Sequence, residues 1–173
     1  MDVKRVFLVG FMGCGKSTIG RFVARDMGWR FIDMDTYFEE RHQCTISEYF
    51  ARHGEDGFRR AAHDIVVELC SIDNIVVGTG GGAPCFFDNM DLMCNAGLVI
   101  YINVDNNVLA ERLYRNHASR PLLANKTNDE ILQYVIEKVA ERERFYRRAQ
   151  ITVDGETLNF GMYRTLISMY STR

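Results

Sequence analysis

The chain has 173 residues, 47% apolar and 25% charged, with a formal net charge of −2; this suits one globular domain with a proper core and gives no general pull toward nucleic acid or an anionic membrane. No apolar run is long enough to span a bilayer, and Met1-Asp2-Val3-Lys4-Arg5 leads straight into a strand, so no signal peptide is expected. Five cysteines, odd in number and never spaced C-x-x-C, argue against a disulfide framework or a zinc site and for a reducing cytoplasm.

In chain order, Arg5 to Val9 is a short apolar run that reads as a buried parallel strand. Gly10-Phe11-Met12-Gly13-Cys14-Gly15-Lys16-Ser17-Thr18 follows and fits G-x-x-x-x-G-K-[ST]. By chance this pattern arises in roughly 1% of chains of this length, and fewer carry the required strand before it and helix after it. That helix is expected from Ile19 to Met27, ended by Gly28. The glycines allow a tight wrap in which backbone N–H groups from Gly13 to Thr18 converge on phosphate oxygens. The helix N-terminus adds partial positive charge. Lys16 brings a mobile cation to the β- and γ-phosphates, and the Ser17 hydroxyl is a Mg²⁺ ligand. Nucleotide phosphate binding follows.

A second strand, Trp29 to Asp33, ends in Asp33-Met34-Asp35, and Thr36 to Arg41 is helical. Thr45-Ile46-Ser47-Glu48 has the form of a capping box. Gly54 interrupts that helix, and Glu55 to Ser71 continues as a long one. Asn74 to Gly78 is a third strand running into Thr79-Gly80-Gly81-Gly82-Ala83-Pro84, where neither helix nor strand continues easily. Asp88 to Asn95 is a short helix, Leu98 to Ile102 a fourth strand, and Asp105 caps a helix through Leu113. The polar stretch from Arg115 to Thr127 contains Arg120-Pro121-Leu122-Leu123 and has the length of a lid. A helix starts at Asn128 or Asp129 and reaches about Arg148; Ile151 to Val153 is a fifth strand, and Leu158 to Tyr170 a last helix. Alternating strands and helices predict a parallel sheet covered on both faces.

Ligands of such sheets sit beyond the carboxyl ends of the strands, which places Gly10–Thr18, Asp33, Asp35 and Thr79–Gly82 on one rim. Asp33 and Asp35 have two readings of about even weight: a helix cap with a first-turn carboxylate, or a Mg²⁺ ligand and an acceptor for a substrate hydroxyl proton. Arg59-Arg60 reads most simply as a solvated basic face. A second cluster, Arg142 to Arg148, offers the alternative that two separate arginines clamp an anionic acceptor. Three consecutive glycines suggest close backbone approach to a ligand as well as a turn.

Taken together, Gly10-x4-Gly15-Lys16-Ser17-Thr18, Asp33-x-Asp35, Phe58-Arg59, Gly80-Gly81-Gly82, Arg120-Pro121-Leu122-Leu123 and Arg142 with Tyr146 resemble shikimate kinase along essentially the whole chain. The resemblance implies a single domain over residues 1–173 with the three-layer αβα P-loop kinase fold. It implies a five-stranded parallel sheet in order 2-3-1-4-5, a mobile lid at about 115–127 and acceptor-binding helices at about 34–62. It implies transfer of the γ-phosphate of ATP to the 3-hydroxyl of shikimate, with Mg²⁺ on Ser17 and Asp33, Lys16 and Arg120 on the phosphates, and Asp35 on the reacting hydroxyl as base. Arg59 and Arg142 would grip the shikimate carboxylate, Gly80, Gly81 and Gly82 would touch ring hydroxyls and γ-phosphate, and Phe50, Phe58 and Leu122 would line the pocket. Arg112 and Arg115 are both candidates for the adenine, with Phe160 on its far side. A cytoplasmic monomer is expected, with ATP, ADP and shikimate as its partners and neither nucleic acid nor membrane among them.

The chain departs from the family pattern at Ala62, where a glutamate usually follows the F-R arginine by three residues, and at Arg144, where proline is frequent. Such a glutamate would lie one helical turn from Arg59 and fix it. His63 points roughly 100° away round the helix, so either Arg59 is held less firmly here or Glu39, Glu55 or Asp64 takes over. Two rival functions stand beside the leading one: a gluconate kinase of the same fold, and a catalytically silent nucleotide-binding module.

Overall fold

The computed structural model describes residues 3–115, 123, 125–157 and 160–171. Strands β1 (Arg5–Val9), β2 (Arg30–Asp33), β3 (Ile75–Gly78), β4 (Leu98–Asn103) and β5 (Ile151–Asp154) form one parallel sheet in the order β2-β3-β1-β4-β5. Helices are α1 (Lys16–Met27), α2 (Met34–His42), α3 (Ile46–Leu69), α4 (Asn89–Ala96), α5 (Asn106–Arg115), α6 (Asn128–Tyr146) and α7 (Phe160–Ser171). Among the described residues no helix is long and apolar enough to cross a membrane.

The alternation of β1 divides the core. Val6 and Leu8 point to one side of the sheet, where they pack with Ile19, Val23, Leu109, Ile131 and Tyr163 from α1, α5, α6 and α7. Phe7 and Val9 point to the other and meet Phe38, Ile65, Leu69 and Met90 from α2, α3 and α4. Both faces are covered, which is why β1, β3 and β4 are continuous apolar runs rather than alternating ones. The αβα layering and the strand order match the expectation.

Several boundaries shift for identifiable reasons. Helix α1 begins at Lys16 rather than Ile19, because Gly15 at φ 101° turns the chain into the helix at once; Lys16 and Ser17 therefore stand in its first turn. Strand β2 begins at Arg30 because the Trp29 N–H closes α1, donating to Ala24 O at 2.7 Å. Helix α2 starts at Met34, capped by Asp33. The helices expected on either side of Gly54 run on as α3 with a kink there, Gly54 standing at φ 67° and ψ −177°. The capping box at Thr45 and Glu48 is present, and a second, formed by Thr127 and Glu130, caps α6, which starts at Asn128, the first of the two expected positions. Of the expected lid, residues 116–122 and 124 lie outside the described residues, Arg120 and Leu122 among them; Leu123 is fully buried in the core.

Candidate active site

The rim at the carboxyl ends of β1, β2 and β3 carries two adjoining cavities. The first, of about 560 Å³, is lined by the P-loop from Met12 to Thr18 together with Asp33, Asp35, Gly78, Thr79, Gly81, Arg112 and Leu113. Gly13 at φ 83° and Gly15 at φ 101° hold the loop in the left-handed conformations that glycine tolerates. Lys16 Nζ donates to Gly10 O and Phe11 O, each at 2.9 Å, and lies 3.6 Å from Cys14 Sγ. Its partners are neutral carbonyls, so an anionic phosphate oxygen would make the stronger, charge-assisted bond.

Asp33 caps α2, as the first of its readings expects, and turns its other oxygen to the P-loop. Its Oδ1 caps α2, accepting from Asp35 N at 3.2 Å and Thr36 N at 3.4 Å, while its Oδ2 accepts from Ser17 Oγ at 2.7 Å. Among the described residues no cluster of His, Cys, Asp or Glu forms a self-sufficient metal cage. One carboxylate beside one hydroxyl, at the mouth of a phosphate-binding loop, is instead the sparse oxygen donor set that Mg²⁺ uses when waters and substrate phosphates complete its shell. The residues fit that ion.

The second cavity, of about 190 Å³, is lined by Met34, Asp35, Phe38, Ile46, Phe58, Arg59, Ala62, Gly80 to Ala83, Phe86 and Asn89. Asp35 and Gly81 belong to both cavities and form the seam between them. The triple glycine keeps that seam open. A Cβ on Gly80 would stand 2.9 Å from Asp35 Oδ1, and one on Gly82 would stand 3.0 Å from Arg59 Nη1. Part of the room the glycines leave is thus taken by the chain's own charged side chains.

Arg59 is held on three sides. Its Nε and Nη2 donate to Glu55 Oε1 at 3.2 and 3.0 Å, and its guanidinium lies 4.0 Å from the Phe86 ring centre and 5.2 Å from that of Phe58. Of the three carboxylates that could substitute for one at position 62, Glu55 makes the pair, whereas Glu39 accepts from Ile46 N. His63 turns away and bonds Asn89 Oδ1 at 2.7 Å. Arg142 reaches the seam from α6: its guanidinium sits 5.6 Å from the Phe11 ring centre, and its Nη1 would lie 3.6 Å from a Cβ on Gly81. Tyr146, fully buried, donates its hydroxyl to Gly81 O. Burial pushes the Tyr146 phenol far above its ordinary range, with the nearby Cys85 adding to the shift and Arg142 opposing it, so it remains a donor.

Other sequence candidates fall further out. Arg112 lines the P-loop cavity and donates to Gly13 O at 3.3 Å, while Arg115 is exposed and pairs with Glu111. Phe50 is 41% exposed, with its ring 5.9 Å from that of Phe58, and does not line the second cavity. Phe160 stacks on Phe22 with ring centres 4.4 Å apart and lines neither cavity. Sequence reasoning passed over Phe86 and Asn89. Phe86 follows the triple glycine in a segment without periodicity, and Asn89 falls in the first turn of the expected Asp88–Asn95 helix, whose pattern does not say that this residue lines the site. Asn89 is buried and donates to Ala83 O at 2.8 Å.

A P-loop cavity joined to a smaller, arginine-lined cavity through one carboxylate defines a small-molecule kinase of the P-loop class. The shikimate kinase family model matches residues 12–167. A shikimate kinase from Phocaeicola vulgatus is 42% identical over 84% of this chain and 83% of its own. The crystal structure of shikimate kinase from Bacteroides thetaiotaomicron superposes with a TM-score of 0.92 at 37% identity, covering 96% of this chain and 99% of the other. That of shikimate kinase from Acinetobacter baumannii in complex with shikimate gives 0.83 at 30% identity, over 96% and 94%. The chain belongs to the shikimate kinase family.

Proposed function

We propose that this chain transfers the γ-phosphoryl group of ATP to the 3-hydroxyl of shikimate, yielding shikimate 3-phosphate and ADP. The observation that carries this reading is the seam: Asp35 and Gly81 line the phosphate cavity and the arginine-lined cavity alike. A hydroxyl held in the second cavity faces a γ-phosphate held in the first across that one carboxylate.

Each side chain then has a task. The backbone N–H groups of Gly13 to Thr18 and the Lys16 ammonium take the β- and γ-phosphate oxygens. Ser17 and Asp33 would hold Mg²⁺, which when bound neutralises charge on those oxygens. Arg59, beside Gly82, and Arg142, beside Gly81, grip the acceptor carboxylate and so fix the ring. Asp35 accepts the hydroxyl proton as the oxygen bonds to the γ-phosphorus and the bond to the β-phosphate oxygen breaks. Arg120, outside the described residues, is assigned to the transferred phosphoryl group by resemblance. Of the two adenine candidates, Arg112 has the better position because it lines the cavity. The five cysteines are all unpaired, in keeping with a cytoplasmic setting, and a monomer holds every group named here.

The test is an ATP-coupled assay with shikimate, with gluconate and without acceptor. Turnover with shikimate alone is expected. Preference for gluconate would move the assignment to the related sugar-acid kinases, and no acceptor-dependent turnover would leave a nucleotide-binding module.

A further inference from the structure

A third basin, of about 580 Å³, opens on the outer side of the acceptor clamp. Arg59 lines both this basin and the second cavity, whereas Arg142 lines this basin and neither of the other two, so this side gives access to both guanidiniums assigned to the acceptor carboxylate. The remaining wall includes Lys138, Arg144, Glu55 and Glu141. Both carboxylates are already engaged: Glu55 on Arg59 at 3.0 Å, and Glu141 on Lys138 at 2.8 Å. Arg144 lies over the Phe145 ring, 4.7 Å from its centre, and among the described residues it forms no ion pair with a carboxylate. The basin therefore keeps an uncompensated positive charge at Arg144 next to that of Arg142, on a chain whose net charge is −2.

Cys85, in the same wall, reports the convergence. Burial pushes its thiol up to about 11, against the opposing pull of Arg142, Arg59 and Arg144. The three guanidiniums and the thiol line one basin, and the thiol, held neutral, cancels none of their charge.

We propose that Arg144 is a specificity-determining residue for the acceptor: the outer cation of a graded arginine path that draws a carboxylate through this basin onto Arg59 and Arg142. The inference rests on the assignment of those two arginines to the acceptor carboxylate. A cation at a partly exposed mouth acts on an anion within about one Debye length, roughly 10 Å at 0.1 M salt. Its effect is greatest at low salt and fades as salt rises. Once the carboxylate is seated, Arg144 adds nothing specific to the transition state, so its removal weakens binding rather than chemistry.

The experiment compares the full-length parent chain with Arg144→Gln and Arg144→Lys, following shikimate KM and kcat across a series of KCl concentrations, with the methyl ester of shikimate as an uncharged probe. Arg144→Gln should raise the KM for shikimate about threefold at low salt and flatten the dependence of log(kcat/KM) on salt. The loss should fall on KM, be absent with the ester, and be recovered by Arg144→Lys. An unchanged salt dependence in Arg144→Gln overturns the proposal, as does an equal loss with the ester, which would mark a packing role on Phe145. If the parent chain turns over no shikimate, the assigned activity fails and this inference with it. Normal turnover with an unaltered salt dependence removes the inference alone.

Discussion

Glu55 accepts the Nε and Nη2 protons of Arg59 on a single oxygen, one helical turn before it on α3. This leaves Nη1 as the guanidinium edge facing Gly82, while Phe86 closes one face of the ion. Glu55 stands outside the acceptor cavity, and Ala62, one turn further along the helix, stands inside it. Arg59 is therefore braced from the solvent side, and the cavity wall beneath it is apolar.

This brace predicts the effect of Glu55→Gln. Fixing a rotamer-rich side chain at a binding site is worth about 0.5–1.5 kcal/mol, so shikimate KM should rise by about twofold to tenfold. A loss confined to kcat, with KM intact, would show that Glu55 acts on the chemistry rather than on the clamp.

Among the described residues Lys16 bonds to neutral or weakly polar groups of its own loop, which hold it less firmly than a phosphate would. Phosphoryl transfer depends on charge placement more than on covalent chemistry. Lys16→Met should lower kcat by about 10²-fold or more, with the circular-dichroism spectrum and melting temperature of the parent. Near-normal kcat in a folded variant would remove the P-loop from the reaction.

Asp35 should behave differently. Asp35→Asn keeps shape but removes the base, and kcat should fall by roughly 10²-fold with ATP binding little changed. Gly80→Ala tests the same group from the other side: its Cβ would stand 2.9 Å from Asp35 Oδ1 and must displace the carboxylate. Lost kcat in both variants, with ATP affinity retained in titrations, is the expected pair of results. Lost ATP binding with kcat preserved would make Asp35 a nucleotide or structural residue.

The parts of this site that sequence made legible are those encoded locally. The P-loop and Asp33-x-Asp35 sit at strand ends, where a few residues settle both conformation and chemistry. The triple glycine was legible as a place of close approach, but not as a seat for Asp35 and Arg59, since those contacts join segments far apart in the chain. The choice between Arg112 and Arg115 depends on how α5 is rotated against the P-loop, which periodicity does not specify within one turn. Phe50 and Phe160 were placed by analogy of position, and the packing of α3 and α7 turns them elsewhere. Thr127 was missed as a cap although Glu130 stands at the capping-box spacing.

The last prediction concerns Ala62. On sequence alone, restoring a glutamate there looks favourable, because it would pair with Arg59 one turn away. The structure changes the expected sign. Ala62 is buried and lines a cavity of only about 190 Å³, and Glu55 already occupies two donors of Arg59. A second carboxylate would add volume and negative charge where the acceptor's own carboxylate must bind. In the parent chain Ala62→Glu should therefore raise shikimate KM. In the Glu55→Gln background the brace is missing, and the new carboxylate can supply it from inside the cavity. There the same substitution should lower KM relative to Glu55→Gln alone. Residues sharing a partner are expected to be non-additive by about 0.5–3 kcal/mol, so the double-mutant cycle should show a clear coupling, with the effect of Ala62→Glu opposite in sign in the two backgrounds. Additive KM effects would mean that positions 55 and 62 do not share Arg59, and that Glu55 has not taken over the bracing role.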